Sequence, residues 1–161
     1  MIFRLSLLIL ALFSSSVAAQ GCHITPGWES MSRGQVVLEQ AGERFPQTVR
    51  IADSANKRAA GYQWICEKDA DTTAVLFVFP RMIPSAFHMR NVYVPLDIYY
   101  FDEAGNQVDA MVMRPEPPGQ GIGPHYYQPS GPFRYALEIA RPQTHDLDSL
   151  PVPMRLLIDS L

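Results

Sequence analysis

Apolar residues fall along this chain in short runs broken by Pro, Gly and Asn. Ala74–Phe79 and Leu96–Phe101 are apolar almost throughout, the signature of strands covered on both faces rather than one. Runs this short suit strands better than buried helices. Between them Pro80, Pro84, Asn91 and Pro95 punctuate a loop, with Phe87-His88-Met89 as a further short strand and a turn at Arg90-Asn91. Gln107–Met113 alternates, placing Val108, Ala110 and Val112 on one face, and Glu103-Ala104-Gly105 before it supplies a hairpin loop with Gly where φ turns positive.

Upstream, Gln35–Glu39 and Phe45–Ala52 predict a hairpin about Ala41-Gly42-Glu43, with Pro46 marking a strand start or an edge. Asp53 and Ser54 are good N-caps for a brief helix over Ala55–Ala60, which Gly61 closes. Tyr62, Trp64 and Ile65 return the chain to the core. His23–Gly34 reads as an irregular lead-in and Glu67–Thr73 as a charged loop. Late in the chain, Phe133–Ile139 is a strand, Arg141–Pro153 a polar connection and Met154–Ile158 a closing strand. The pattern predicts an all-β fold: a β-sandwich or partly open barrel of short, mostly antiparallel strands with one short helix.

The first residues stand apart from this pattern. Arg4, the apolar run Leu5–Phe13 and the small residues Val17-Ala18-Ala19 read as a secretory signal over residues 1–19. The run is shorter than the roughly 20 residues a spanning helix needs. Ala19-Gln20-Gly21-Cys22 is a poor lipoprotein box, so lipidation at Cys22 ranks second to plain cleavage. Residues 20–161 remain, a length suited to one domain with a sizeable core. Without Arg4, 12 of the 13 basic residues face 16 acidic ones, so charge gives no reason to bind nucleic acid or an anionic membrane. The mature chain is expected in the periplasm or outside the cell, as a monomer without a transmembrane segment. Cys22 and Cys66 are the two cysteines, and in an oxidising compartment such a pair favours one disulfide.

Chemistry is sparse. No Gly-x-Ser-x-Gly, His-Glu-x-x-His or phosphate loop is present. Ser85 and Ser130 stand beside Pro and read as turn residues. Met82, His88, Met89, Met111 and Met113 could suggest Cu(I), but strand neighbours point to opposite faces, and Met fills β cores routinely. No metal or cofactor is expected. His125 reads as a solvated loop side chain. Arg114–Pro132 is dense in Pro and Gly, and a loop of that length in a compact domain usually borders a site or moves.

Several short motifs occur in order: Arg58 with Gly61; Leu76-Phe77-Val78-Phe79; Phe87-His88-Met89-Arg90-Asn91; Pro95-Leu96-Asp97; the hairpin Phe101–Gly105; and Tyr135-Ala136-Leu137-Glu138. Through them the chain, from about Thr48 to Ile139, resembles the family called domain of unknown function 192. The resemblance implies a β-sandwich or barrel-like fold, often secreted in bacteria, and implies no reaction. This chain departs from the family at Tyr62-Gln63, where Leu-Met is usual, at His88, where Trp is usual, and at Val92, where Thr is usual. A Gly-Asp near the C-terminus is also missing. Any site at those positions has different walls here.

Two function classes follow. The first is a non-catalytic envelope module that binds a small polar ligand or another protein, with Asn91, Asp97, Arg58, His88 and Glu138 as its candidate contacts. The second is a hydrolase-like enzyme using Asp97 with His88 or Glu138. The absent motif set favours the first. Asp97 is the one acid within an apolar strand, so it is expected indoors and in need of partners: the amides of Asn91–Val94, Arg58 or Arg90.

Overall fold

A computed structural model describes residues 21–70, 73–119, 125–142, 147 and 151–157. The expected signal at 1–19 lies outside the described residues. Nine strands and three short helices are described. In chain order they are α1 (Pro26–Ser30), β1 (Ser32–Gln40), β2 (Glu43–Ala52), α2 (Ala55–Ala60), α3 (Glu67–Ala70), β3 (Ala74–Ile83), β4 (Phe87–His88), β5 (Leu96–Phe101), β6 (Gln107–Met113), β7 (Tyr126–Tyr127), β8 (Phe133–Ala140) and β9 (Arg155–Leu157). The fold is all-β. A seven-stranded sheet runs β6-β5-β8-β3-β2-β1-β9, and β4 pairs with β7 as a separate two-stranded ribbon.

Strand edges follow the expected turn chemistry. Ala41 and Gly42 both take positive φ (51° and 84°) between β1 and β2, as a two-residue hairpin loop requires. Gly105 does the same (77°) between β5 and β6. Pro46 lies in the part of β2 that β3 does not flank, since β3 pairs with β2 only over Val49–Ala52. Two expectations need correction. The lead-in contains α1, because Thr25 caps it, Pro26 opens it and Trp28 buries itself beneath it. The charged segment after Cys66 begins as α3. The β2–β3 pair is parallel, and α2 and α3 supply the crossover such a pair needs.

The large sheet curls until it is nearly a closed barrel. Its terminal strand β9 reaches the β5–β6 hairpin: Leu156 N–H donates to the Gly105 carbonyl at 3.0 Å, and Gln107 Oε1 accepts from Met154 N at 2.9 Å. Inside the curl, Leu38, Leu76, Phe101, Leu137 and Leu156 from both ends of the strand order pack as one cluster. The outer face carries a second cluster, in which Val75, Phe77, Ile98 and Tyr100 lie beneath Trp28, Tyr62 and Ile65 from the helical segments. Each central strand therefore has two apolar faces, which is why β3 and β5 read as unbroken apolar runs.

A Cys22–Cys66 disulfide ties the segment before α1 to the start of α3. Beside it, Trp64 stacks on His23 at 5.7 Å. No described helix is long and apolar enough to cross a membrane.

Candidate functional site

The site lies on the outer face of the sheet, where α2 ends. Ser54 Oγ accepts from Lys57 N–H and starts the helix, and Gly61 stops it. Gly61 has φ 45° and ψ −136°, a conformation that side-chain-bearing residues avoid. That turn lays its Cα against the sheet. A Cβ at Gly61 would stand 3.4 Å from Phe77 Cζ and 3.9 Å from Glu138 Oε2. The absent side chain leaves the approach to Glu138 open.

Glu138 sits on β8 between Val75 of β3 and Ile98 of β5 in register, both fully buried. Glu138 itself is 4% exposed. Among the described residues, nothing hydrogen-bonds or ion-pairs with its carboxylate, which lines the cavity. The Tyr62 hydroxyl reaches only its backbone carbonyl, at 3.5 Å, and also bonds the Thr73 carbonyl. Burial alone pushes the Glu138 carboxyl up to about 8, because the charged form loses its water without gaining a counter-charge. Its neutral form is therefore favoured well above the usual carboxylate range.

Above Glu138 opens a cavity of about 250 Å³. One wall is the end of α2 and the turn after it, from Arg58 to Gln63. The floor is Phe77 and Phe79 of β3 with Glu138. The opposite wall is Ser85, Ala86, Phe87 and His88, and Val92 closes the back. Phe87 stands edge-on to Phe77 at 4.9 Å and to Tyr100 at 5.7 Å, which anchors β4 over the sheet. The Arg58 guanidinium lies 4.9 Å over the Phe79 ring, and its Nη1 donates to the Val78 carbonyl at 2.9 Å. These contacts hold one cation at the cavity wall. His88 Nδ1 accepts from Arg90 N–H at 3.3 Å, so its proton belongs on Nε2. Burial, and secondarily Arg90, holds its pKa below the usual histidine range.

Of the five expected contact residues, Arg58, His88 and Glu138 meet here. Asn91 does not line the cavity. It stands behind it in a left-handed conformation (φ 62°), with its carbonyl accepting from Trp64 N–H at 2.8 Å and its N–H donating to the Glu116 carbonyl at 2.9 Å. Its Nδ2 reaches Gln63 Oε1 at 3.4 Å, so it braces a cavity residue from outside. Asp97 is on the other face of the sheet. Leu96, Ile98 and Tyr100 share the outer cluster, and their strand neighbours Tyr99 and Phe101 the inner one, so strand alternation turns Asp97 inward. Its partner is Arg141, with Nε at 2.8 Å and Nη2 at 2.7 Å, rather than Arg58 or Arg90. Asp97 and Glu138 therefore cannot act on one bond.

Ser85 and His88 border the cavity with Glu138, yet they form no relay. Nδ1 of His88 is occupied by Arg90, and no described hydrogen bond joins the ring to Ser85 or Glu138. Sequence reasoning missed Phe77, Phe79 and Phe87 as cavity walls, whereas Tyr62, Gln63, His88 and Val92, where the chain departs from the family, do line it. The signal was present: four of the six ordered motifs, those at Arg58/Gly61, Phe77/Phe79, Phe87/His88 and Glu138, converge on this cavity.

No curated protein matches the chain. Among solved structures, one from Sinorhizobium meliloti 1021, named as a candidate transcription regulator, is 22% identical, covers 79% of this chain and 95% of its own, and aligns with a TM-score of 0.60. A protein of unknown function from Novosphingobium aromaticivorans is 19% identical over 86% of this chain and 94% of its own, with a TM-score of 0.62. At these identities the likeness is one of fold. The model of the DUF192 family, described as Uncharacterized ACR, matches residues 36–149, a wider span than the motifs alone outlined, and the chain belongs to that family.

Proposed function

We propose that this protein is a small-ligand binding module whose ligand sits in the cavity between α2, β4 and the outer sheet face, against the carboxyl of Glu138. One observation carries the reading. Glu138 is almost wholly buried, has no described partner for its carboxylate, and faces a cavity kept open by Gly61. Buried polar groups are normally satisfied within the fold, and one left unpaired costs several kcal/mol at most and about 1–3 in typical proteins. A fold that keeps such a group at the bottom of a cavity has a place for a partner from outside. The aromatic floor and few polar groups match the usual make-up of small-molecule sites.

The enzyme reading loses its acid pair, because Asp97 and Glu138 face opposite sides of the sheet. A periplasmic or extracellular location remains part of the proposal. It is supported by the Cys22–Cys66 disulfide, since such bonds persist in oxidising compartments, and by the secretory pattern of residues 1–19.

A fragment screen followed by amide chemical shifts tests the reading. Hits are expected to move the amides of Gly61, Phe87 and Glu138. A library that moves none of them, or hits that gather elsewhere, overturns it.

A further inference from the structure

We infer that the cavity selects small zwitterions, seating a protonated amine on Glu138 and an anionic group on Arg58. The inference rests on the binding reading and names its ligand class.

Glu138 lacks a donor. Of the donors a ligand could bring, a cationic amine gains most in a site largely shielded from bulk water, where opposite charges interact more strongly than in solution. Val75 and Ile98 beside it, both fully buried, and the aromatic cavity lining supply that setting, with Glu138 itself 4% exposed. The second group is Arg58. Its Nη1 spends one donor on the Val78 carbonyl, and no described carboxylate ion-pairs with it. A guanidinium has further donors in a rigid fork suited to carboxylate or phosphate. Arg58 is therefore a placed cation with unused donors, on the wall of the cavity whose floor is an unpartnered acid.

The two groups do not neutralise each other. No described ion pair joins Arg58 to Glu138, so a ligand must span the gap. Between them the surface is aromatic, from Phe77, Phe79 and Phe87, which suits an apolar spacer.

Proton balance follows. In the empty cavity at pH 7 the Glu138 carboxyl carries its proton. When an ammonium group binds, that proton leaves to solvent, the ammonium keeps its own, and an ammonium–carboxylate pair remains. The other titratable groups near the acid stay silent. Tyr62 and Tyr100, from the turn after α2 and from β5, have hydroxyls raised above their usual range by burial. His88 on β4 is held neutral. Arg58 of α2, Arg50 on β2 and Asp109 beside Tyr100 on β6 are the other charged groups on the elements packed around it.

Titration calorimetry on the disulfide-intact protein at pH 7, in PIPES and in MOPS, whose bulky tertiary amines differ in ionisation enthalpy, tests this. The probes are ω-amino acids from 3-aminopropanoate to 6-aminohexanoate, with butylamine, butanoate and butanamide as one-ended controls. One chain length is expected to bind at least about tenfold tighter than every control. Protons should leave to solvent as the ligand binds, up to about one per site, because the acid is held protonated above the usual carboxylate range. Glu138→Gln should abolish that release. Arg58→Gln should reduce the best zwitterion to the affinity of butylamine and leave butylamine unchanged. Butanamide binding as tightly as the zwitterions, with no proton released, overturns the ligand class and keeps the binding reading. Fragments that occupy the cavity while every amine fails have the same meaning. Silence from the amines and the fragments together ends both.

Discussion

Replacing Glu138 by Gln should stabilise the protein in alkali and leave it unchanged in mild acid. The carboxyl titrates near 8 in the fold against 4.5 for the free side chain. The folded state thus holds its proton more tightly than the unfolded one. The native acid is tolerated fully below pH 4.5, and stability falls as pH rises from there to about 8. At 1.36 kcal/mol per unit the whole interval amounts to about 5 kcal/mol, with about 3 kcal/mol already lost at pH 7. Water entering the cavity makes these ceilings. Gln has the same shape and no proton to lose. Urea unfolding of both proteins from pH 5 to 9 measures the difference. Near pH 5 the two should agree within about 1 kcal/mol, and by pH 9 the variant should lead by several. His88, whose lowered pKa makes acidification unfavourable below its usual range, contributes equally to both proteins and cancels. A gap that is constant with pH, or wild type gaining stability toward alkali, refutes the claim that Glu138 is buried without a counter-charge.

Three further outcomes are expected. Removing the Cys22–Cys66 bond, which spans 44 residues, should cost about 4 kcal/mol by the loop-entropy relation; thiol counting on the unfolded, unreduced protein should find no free thiol. Asp97→Asn breaks the charge pair with Arg141 at 2.7 Å and should lower stability by about 1–3 kcal/mol, while cavity probes bind as before because Asp97 faces the other way. Gly61→Ala forces a side chain into a conformation reserved for glycine, so thermal unfolding should report a loss of about 1–3 kcal/mol, and probe affinity should fall as the methyl crowds Phe77 and Glu138.

Much of the sheet was legible because local pattern and tertiary role agree. β5 and β6 have the bounds read from alternation and from the Gly105 turn. β3 shows its burial on both faces in its composition. The Cys22–Cys66 pair followed from there being two cysteines. Parallel pairing of β2 with β3 was not legible, because it depends on where the α2–α3 crossover sets the chain down. The importance of Asp97 was inferred from its apolar neighbours, which was right only in part about burial, since its side chain is 18% exposed, and silent about direction. An Arg141 distant in sequence satisfies it on the inner face. Glu138 looked like a minor partner, since nothing in Tyr-Ala-Leu-Glu announces an acid with no base beside it. Only the assembly of β3, β5 and the Gly61 turn around it reveals that.

The closure of the barrel by β9 also bears on how this chain reaches its fold. β1 has β2 on one side, and its other side is covered only when β9 arrives at Val37–Glu39. Contacts of such long sequence separation form late and slowly. Until then β1 presents a row of unpaired amides and carbonyls, the kind of edge that recruits strands from other molecules. Val36, Val37 and Leu38 on that edge add the apolar character that favours self-association. The three residues of β9 thus serve as a guard as well as a strand: a chain shortened before Met154 keeps its cavity elements but exposes a template for aggregation during folding.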